Sequence, residues 1–196
     1  MTLYKNRSKF SSLSAVLGRL FSFTAANSYT TMALILSFVC AYFLATRNFA
    51  LSAVLFALVA FFDVIDGAVA RHRKEVSKKG AYFDSVSDRY VEAVIAFGLL
   101  FAVLPSFYLP AYFWIALCLF GSMMTTYARA VAAEKSISKD LRGGLLERGD
   151  RMILVFMGIV AGYFNATYLT YAIVIIAVLS NISALQRINT ALKDRK

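Results

Sequence analysis

Long apolar runs alternate with shorter polar stretches along most of the chain. Six runs are long enough to form helices. Their approximate bounds are Thr30–Thr46, Ala50–Ala70, Tyr90–Leu104, Ala111–Ala132, Met152–Phe164 and Tyr168–Leu185. The runs are continuous, which favours membrane helices over the alternating strands of a β-barrel, and helices of ~20 residues should extend beyond some of these bounds. The pattern predicts an all-α polytopic membrane protein with six transmembrane helices.

A separate amphipathic stretch precedes the first apolar run. Its apolar residues recur at helical spacing: Leu13, Val16, Leu17, Leu20 and Phe21. Arg19 interrupts the stretch, which argues against a signal peptide and favours a helix that lies in the membrane interface. We expect one membrane domain over residues 1–196, with an interfacial helix at 8–24 and a six-helix core at 28–188.

The composition supports this fold class. Hydrophobic residues make up 60% of the chain and charged residues 16%, values that exclude an ordinary soluble domain and a disordered chain. The formal net charge of +10 would suggest nucleic-acid binding in a soluble protein. Here the basic residues lie between the apolar runs, so an anionic membrane surface or substrate is the better interpretation, and no nucleic-acid partner is expected.

The basic residues are distributed unequally between the two sides of the predicted membrane domain. They are concentrated before the first run, between the second and third, between the fourth and fifth, and after the sixth. The opposite loops contain only Arg47. By the positive-inside rule, both termini and the loops around Lys74 and Lys139 are predicted to be cytoplasmic. The protein is therefore expected in the cell membrane, with its polar site facing the cytoplasm.

Four aspartates flank the polar stretch between the second and third runs: Asp63, Asp66, Asp84 and Asp88. The first two are three residues apart and the last two are four apart, so each pair shares one face of a helix. Asp63 precedes Arg71 by eight residues, which is ~12 Å along a helix, and Asp88 follows Gly80 by the same number. Two antiparallel helices would therefore present four carboxylates at nearly one depth in the membrane.

Carboxylates at such a depth cannot all remain ionised without cations. An all-oxygen set suits Mg²⁺ or Mn²⁺, and two ions would balance four carboxylates and could bridge a diphosphate. Gly67 and Ala70 leave room for a nucleotide base or ribose, and Arg71 is placed to meet a phosphate. A divalent-cation transporter, with the aspartates as its ion path, is the alternative from a different class. Transport has no use for a nucleotide cradle, so the spacing of the small residues argues against it.

The stretch from Asp63 to Asp88 reads Asp-x₂-Asp-Gly-x₂-Ala-Arg-x₈-Gly-x₃-Asp-x₃-Asp. It resembles the signature of the CDP-alcohol phosphotransferase family at every fixed position. The stretch 27–30, Asn-Ser-Tyr-Thr, is similar to the Pro-Asn-x-x-Thr stretch that opens the first membrane helix in this family, with Ala26 in place of the proline. The resemblance implies a six-helix membrane enzyme of phospholipid biosynthesis, usually a homodimer.

The resemblance also implies a reaction and roles for residues. A phosphatidyl-type group, carrying diacylglycerol or archaeol, passes from a CDP-lipid to the hydroxyl of a small polar acceptor, and CMP leaves. Two Mg²⁺ or Mn²⁺ ions are implied, with Asp63, Asp66, Asp84 and Asp88 as ligands. Asp88 is also the implied base for the acceptor hydroxyl. The residues implied around the CMP moiety are Asp66, Gly67, Ala70, Arg71, Gly80 and Asp84.

Four arginines near helix ends are candidates for binding a phosphate on the acceptor: Arg129, Arg148, Arg151 and Arg187. The positive-inside bias alone would also place arginines there. The stretch Gly143–Arg151 and the pair Gln186-Arg187 resemble parts of phosphatidylinositol-phosphate and archaetidylinositol-phosphate synthases. This implies inositol 1-phosphate as the acceptor, with glycerol 3-phosphate as the alternative. Tyr127 stands where those enzymes are expected to have a lysine.

Overall fold

The computed structural model describes residues 7–137 and 144–193, with side chains from residue 14 onward. These residues form seven α-helices and no strand, which confirms the all-α class. The helices are α1 (Arg7–Leu20), α2 (Ala26–Ala45), α3 (Phe49–His72), α4 (Lys78–Phe101), α5 (Ala111–Glu134), α6 (Arg148–Phe164) and α7 (Ala166–Lys193).

Four of these helices are long and apolar enough to cross a membrane. They are α2, α3, α5 and α7, with lengths of 20, 24, 24 and 28 residues. The other two helices of the predicted six-helix core differ in ways that can be named. α4 carries Asp84, Asp88, Arg89 and Glu92, and α6 has only 17 residues. The length and composition of these four helices support a multi-pass membrane protein.

The start of α4 lies well before the apolar run that predicted the helix. The helix begins at Lys78, whereas the apolar run begins at Tyr90. Ser77 caps it, because the Gly80 N–H donates to Ser77 Oγ at 3.0 Å and one donor of the first turn is thereby satisfied. Hydropathy marks only the apolar part of a helix, so this polar first half was not predicted from the apolar run.

Other helix ends also depart from the predicted bounds. α7 continues to Lys193, beyond the predicted end near Leu185. Its last turns are polar, so they lie outside the apolar run. α1 ends at Leu20, before the predicted limit at residue 24. α4 ends at Phe101, and Val103 beyond it has φ 46°, a left-handed conformation that a helix cannot continue through.

The described residues divide into two compact units. The first comprises the chain up to Cys40 together with Val54–Val94, and the second comprises Ala41–Ala53 together with the chain from Ile95 onward. The first unit therefore holds α1, most of α2 and α3, and the first part of α4. The second holds α5, α6 and α7.

In the first unit, α1 and α2 pack against α3. A Cβ atom on Gly18 of α1 would lie 2.6 Å from the carbonyl oxygen of Ala68 on α3, so this close approach requires glycine. Tyr29 of α2 forms a buried cluster with Ile65 and Val69 of α3. Both contacts lie near the polar end of α3, and they hold that end in place.

In the second unit, α5, α6 and α7 pack through small residues. A Cβ atom on Gly121 of α5 would lie 2.9 Å from the backbone nitrogen of Asn181, and one on Gly158 would lie 2.7 Å from Cβ of Ala172. Asn181 Nδ2 also donates to the carbonyl oxygen of Leu117 at 2.9 Å. Small residues and interhelical hydrogen bonds are typical of helix packing in membranes.

Candidate active site

Three aspartates converge in the first unit. Asp63 and Asp66 lie one turn apart on α3, and Asp84 lies in the first half of α4. Each contributes one carboxylate oxygen to a group in which the three oxygens lie within 4.8 Å of one another. Asp66 is buried, and the other two are partly buried. The two helices thus bring together three of the residues that the sequence singled out.

The three carboxylates form a donor set that fits a divalent cation. Mg²⁺ and Ca²⁺ bind oxygen at ~2.0–2.6 Å, so ligands on opposite sides of one ion are ~4–5 Å apart. The 4.8 Å separation limit of this group matches that span. Three carboxylates at such distances also need nearby positive charge to remain ionised together.

A hydroxyl from α2 orients one of these carboxylates. Thr30 Oγ1 donates to Asp66 Oδ2 at 2.7 Å, and both residues are buried. From the sequence, Thr30 was expected only at the start of a helix, and this contact was not predicted. The available signal was the polar spacing at the start of α2, since Asn27 and Thr30 are three residues apart and share a face.

Asp88 has a different environment from the three converging aspartates. It lies one turn beyond Asp84, is 8% exposed, and is not a member of the converging group found among the described residues. Arg89 Nη2 is 3.8 Å from Asp88 Oδ2, and Arg89 Nη1 is 3.3 Å from Glu92 Oε1. The structure therefore places Asp88 beside a guanidinium that the sequence analysis had not associated with it.

A cavity of about 380 Å³ lies in the first unit beside the carboxylates. All six residues predicted to surround a nucleotide line it: Asp66, Gly67, Ala70, Arg71, Gly80 and Asp84. Asn27 and Thr30 of α2 line it as well. Its volume falls within the range of ~300–1,000 Å³ that is usual for small-molecule sites. A cavity that combines small residues, a guanidinium and carboxylates suits a nucleoside phosphate whose charge is shared with a cation.

The two glycines of the cavity are in tight surroundings. A Cβ atom on Gly67 would lie 3.2 Å from Arg71 Nη1, so the guanidinium lies directly over this glycine. A Cβ atom on Gly80 would lie 3.1 Å from Ser77 Oγ and would crowd the cap of α4. A side chain at either position would therefore require its neighbour to move by a few tenths of an ångström.

Two of the four candidate arginines meet in the second unit. Arg151 Nη1 donates to Thr125 Oγ1 at 3.3 Å, and Arg187 Nη1 donates to the carbonyl oxygen of Thr125 at 2.7 Å. Arg151 is 5% exposed, which is unusual for an arginine, and Arg187 is partly buried. Arg148 is partly buried in the first turn of α6, whereas Arg129 is exposed on α5.

The polar stretch before α6 is docked on α7. The Leu146 N–H donates to Ser183 Oγ at 2.9 Å, and the Leu145 N–H donates to Gln186 Oε1 at 3.1 Å. Gln186, which the sequence analysis noted beside Arg187, thus has a structural role in holding this loop. The Glu147 N–H donates to Asp150 Oδ2 at 3.2 Å, so Asp150 satisfies a backbone donor at the start of α6.

Some predicted features fall outside the described residues. Lys139, which marks the second basic loop, lies in the gap between residues 137 and 144, as does Gly143 of the stretch before α6. The side chain of Leu13, the first residue of the predicted amphipathic stripe, is also outside the described set.

This chain resembles the sequences of a known family of enzymes. The sequence profile of the CDP-alcohol phosphatidyltransferase family matches residues 23–188, which include both polar regions described above. The chain is 34% identical to the archaetidylinositol phosphate synthase of Pyrococcus horikoshii over 167 residues, which are 85% of this chain and 83% of that protein.

Solved structures of Mycobacterium tuberculosis phosphatidylinositol phosphate synthase have the same fold. The structure with CDP-DAG bound has a TM-score of 0.77 and 25% identity, and the match covers 93% of this chain and 92% of that chain. The structure in complex with manganese and citrate has a TM-score of 0.79 and 25% identity, with coverage of 91% and 88%. The chain is therefore a multi-pass membrane transferase that belongs to the CDP-alcohol phosphatidyltransferase family.

Proposed function

We propose that this enzyme transfers a phosphatidyl-type group, carrying diacylglycerol or archaeol, from a CDP-lipid to the hydroxyl of inositol 1-phosphate, and releases CMP. The observation that carries the proposal is the cavity in the first unit. Its walls contain all six residues expected around a CMP moiety, and two of the converging aspartates are among them. A related enzyme of the same fold has been solved with CDP-DAG bound, which supports a CDP-lipid as the donor substrate.

The converging carboxylates would hold the divalent cations of the reaction. We assign Asp63, Asp66 and Asp84 as ligands and expect Asp88 to complete a site for two Mg²⁺ or Mn²⁺ ions. The M. tuberculosis relative was solved in complex with manganese. In this chain, three carboxylate oxygens lie within 4.8 Å of one another, a separation that suits ligands of one divalent cation. When bound, such cations neutralise the diphosphate and stabilise the charge that develops on the departing CMP.

Asp88 would act as the general base. Asp88 is buried, so little solvent reaches its carboxylate. Arg89 Nη2 lies 3.8 Å from Asp88 Oδ2 and places a positive charge beside it. Asp88 would accept the proton of the acceptor hydroxyl, whose oxygen then attacks the β-phosphorus that carries the lipid alcohol. The bond from that phosphorus to the CMP oxygen breaks, and CMP leaves. This direct displacement needs no phosphorylated side chain.

The candidate arginines would bind the phosphate of the acceptor. Arg151 and Arg187 both donate to Thr125, so two guanidinium groups from different helices lie close to one residue of α5. Arg148, one turn before Arg151, and Arg129, one turn after Thr125, extend the positive region. An acceptor with its own phosphate explains such a cluster better than a neutral alcohol does. Glycerol 3-phosphate is the alternative acceptor. Tyr127, which stands in place of the lysine expected in inositol-phosphate enzymes, is the reason to test it.

The membrane arrangement is part of the proposal. We propose that α4 and α6 complete six spans, since the charged residues that distinguish α4 belong to the site itself. Val16 and Leu20 of α1 are 63% and 65% exposed, so an apolar face is available for the membrane interface. We propose that 1–196 is a single domain, that both termini and the active site face the cytoplasm, and that the enzyme is a homodimer.

The decisive experiment is an acceptor screen with the purified protein. CMP release and product mass would be measured with CDP-diacylglycerol and CDP-archaeol, each combined with inositol 1-phosphate, glycerol 3-phosphate, inositol or serine. We expect turnover with inositol 1-phosphate in the presence of Mg²⁺. Turnover with glycerol 3-phosphate alone would overturn the acceptor assignment. No CMP release with any pair, together with cation flux in vesicles, would instead support a transporter.

A further inference from the structure

Arg71 is the cationic residue of the nucleotide cavity, and helix α1 holds its side chain. Arg71 Nη2 donates to Ser14 Oγ at 2.9 Å, and Nε donates to the same oxygen at 3.2 Å. One serine hydroxyl thus accepts from two donors on one edge of the guanidinium. Since Arg71 is otherwise an exposed residue at the end of α3, this contact limits the directions in which its side chain can point.

The position of Ser14 is itself determined by the docking of α1. Gly18, one turn after Ser14, packs so closely on α3 that a Cβ atom would lie 2.6 Å from the Ala68 oxygen and 2.8 Å from His72 Cβ. Residues four apart share a helix face, so Ser14 and Gly18 approach α3 together. The loop between α1 and α2 is also held near the end of α3, because Arg73 Nη1 donates to the carbonyl oxygen of Thr24 at 3.0 Å.

The orientation of Arg71 matters because the other side of its guanidinium faces the cavity. Arg71 lines the cavity, and its Nη1 atom would lie 3.2 Å from a Cβ atom on Gly67, another lining residue. Ser14 accepts from the Nε–Nη2 edge, and no described residue accepts from Nη1 or from the second N–H of Nη2, so these donors can reach a ligand. A phosphate oxygen is the acceptor that best suits these remaining donors.

We propose that Ser14 is a positioning residue that orients Arg71 toward the phosphates of the bound CDP-lipid. This inference rests on the proposed function, because it takes a cytidine diphosphate as the occupant of the cavity. It makes α1 a part of the nucleotide site, although α1 lies outside the signature stretch at 63–88. The specific role is to fix one rotamer of Arg71, which is distinct from a general contribution to the stability of the helix.

The test uses the purified full chain and compares Ser14→Ala with the wild type. We expect the KM for CDP-lipid to rise about fivefold to tenfold, because an interaction with phosphate is weakened when its donor is no longer oriented. The kcat and the KM for the acceptor should change by less than about twofold. Ser14→Thr, which keeps the hydroxyl, should restore the KM. The control is Ser22→Ala, since Ser22 is a nearby serine whose Oγ donates to the backbone oxygen of Arg19.

A double-mutant cycle decides whether Ser14 acts through Arg71. Arg71→Lys should raise the KM for CDP-lipid by itself, and adding Ser14→Ala should then have no further effect. Additive effects would overturn the inference, and so would an unchanged KM in Ser14→Ala. A fall in kcat with both KM values raised, not rescued by threonine, would indicate damage to the fold and would also overturn it.

Calorimetric binding of CDP, with Mn²⁺ present, separates this inference from the proposed reaction. If the wild type releases no CMP from any CDP-lipid, the proposed reaction fails. The CDP affinities still test the role of Ser14 in that case, because binding does not depend on turnover. A loss of about fivefold to tenfold in affinity for Ser14→Ala supports the inference, and an unchanged affinity overturns it.

Discussion

The two compact units of the chain carry opposite charge at their polar sites. In the first, three carboxylates from α3 and α4 lie within 4.8 Å of one another. In the second, guanidinium groups from α6 and α7 both donate to Thr125 of α5. Like charges that lie close together are stabilised by a counter-charge. The first site is thereby suited to cations with a nucleotide diphosphate, and the second is suited to an anion.

The sites also differ in how far their charged groups already serve the fold. Arg151 and Arg187 hold α5, α6 and α7 together through Thr125, and Arg151 is 5% exposed. In the acidic site, Asp66 accepts a hydrogen bond from Thr30, and the three carboxylate oxygens lie within 4.8 Å of one another. The difference indicates that changes in the acidic site should act mainly on chemistry. Changes in the basic site should act on binding and, for Arg151, on helix packing as well.

Removal of a carboxylate from the acidic site should give the largest effect. Asp63→Asn, Asp66→Asn and Asp84→Asn should each lower CMP release by about 1,000-fold or more, because cation binding and charge stabilisation are lost together. Glu134→Gln is the matched control, since Glu134 is exposed on α5 and pairs with Lys135. A chelator should abolish wild-type activity, and full turnover in excess chelator would contradict the proposed metal site.

Asp88→Asn should reduce the chemical step more than it reduces binding. We expect kcat to fall by about 100-fold or more, because general-base catalysis typically contributes that much. CDP affinity, measured by calorimetry with Mn²⁺, should change far less than kcat. Arg89→Lys preserves the charge beside Asp88 and should keep most of the activity. Near-normal turnover of Asp88→Asn would exclude Asp88 as the base.

Thr30→Val should weaken the acidic site without removing any carboxylate. The loss of the 2.7 Å hydrogen bond frees Asp66, and the concentration of Mn²⁺ needed for half-maximal activity should rise about tenfold or more. Thr31→Val is the matched control, because Thr31 is exposed and donates to the backbone oxygen of Asn27. An equal metal requirement in the two variants would mean that Thr30 is structural only.

The basic site should respond to Arg187→Ala with a smaller and more selective change. The KM for inositol 1-phosphate should rise about tenfold, because a charge-assisted contact to phosphate is worth ~1.5–3 kcal/mol. The KM for CDP-lipid should stay constant. Lys193→Ala, at the end of the same helix, is the control. A constant acceptor KM in both variants would assign Arg187 to helix packing or topology, and the comparison between the two sites would lose its functional meaning.

The acidic site was largely accessible to sequence analysis because its chemistry is encoded at short, regular spacing. Residues three or four apart share a helix face wherever the helix goes, so the pairing of Asp63 with Asp66 follows from local geometry alone. The small residues of the cavity, Gly67 and Ala70, are on the same helix and follow from the same argument. The family signature then joined α3 to α4.

The contacts that orient the site were not accessible in this way. Thr30 and Asp66 are 36 residues apart, and Ser14 and Arg71 are 57 apart. The contact between Arg187 and Thr125 spans 62 residues. Such pairs depend on which helices become neighbours and at what rotation, and a hydropathy pattern contains neither quantity. The polar first half of α4 lies outside the apolar run, which begins only at Tyr90, and it was predicted only through the helical spacing of Asp84 and Asp88.

By itself, the sequence determined the all-α membrane class, the reaction class and the set of aspartates, because periodicity, hydropathy and local spacing suffice for these features. Tertiary structure alone decided which oxygens meet within 4.8 Å, that Asp88 lies beside Arg89, and that α1 holds Arg71 through Ser14. The physical reason is that a side chain acquires its orientation from distant neighbours, and close helix packing at positions such as Gly18 brings those neighbours within hydrogen-bonding distance.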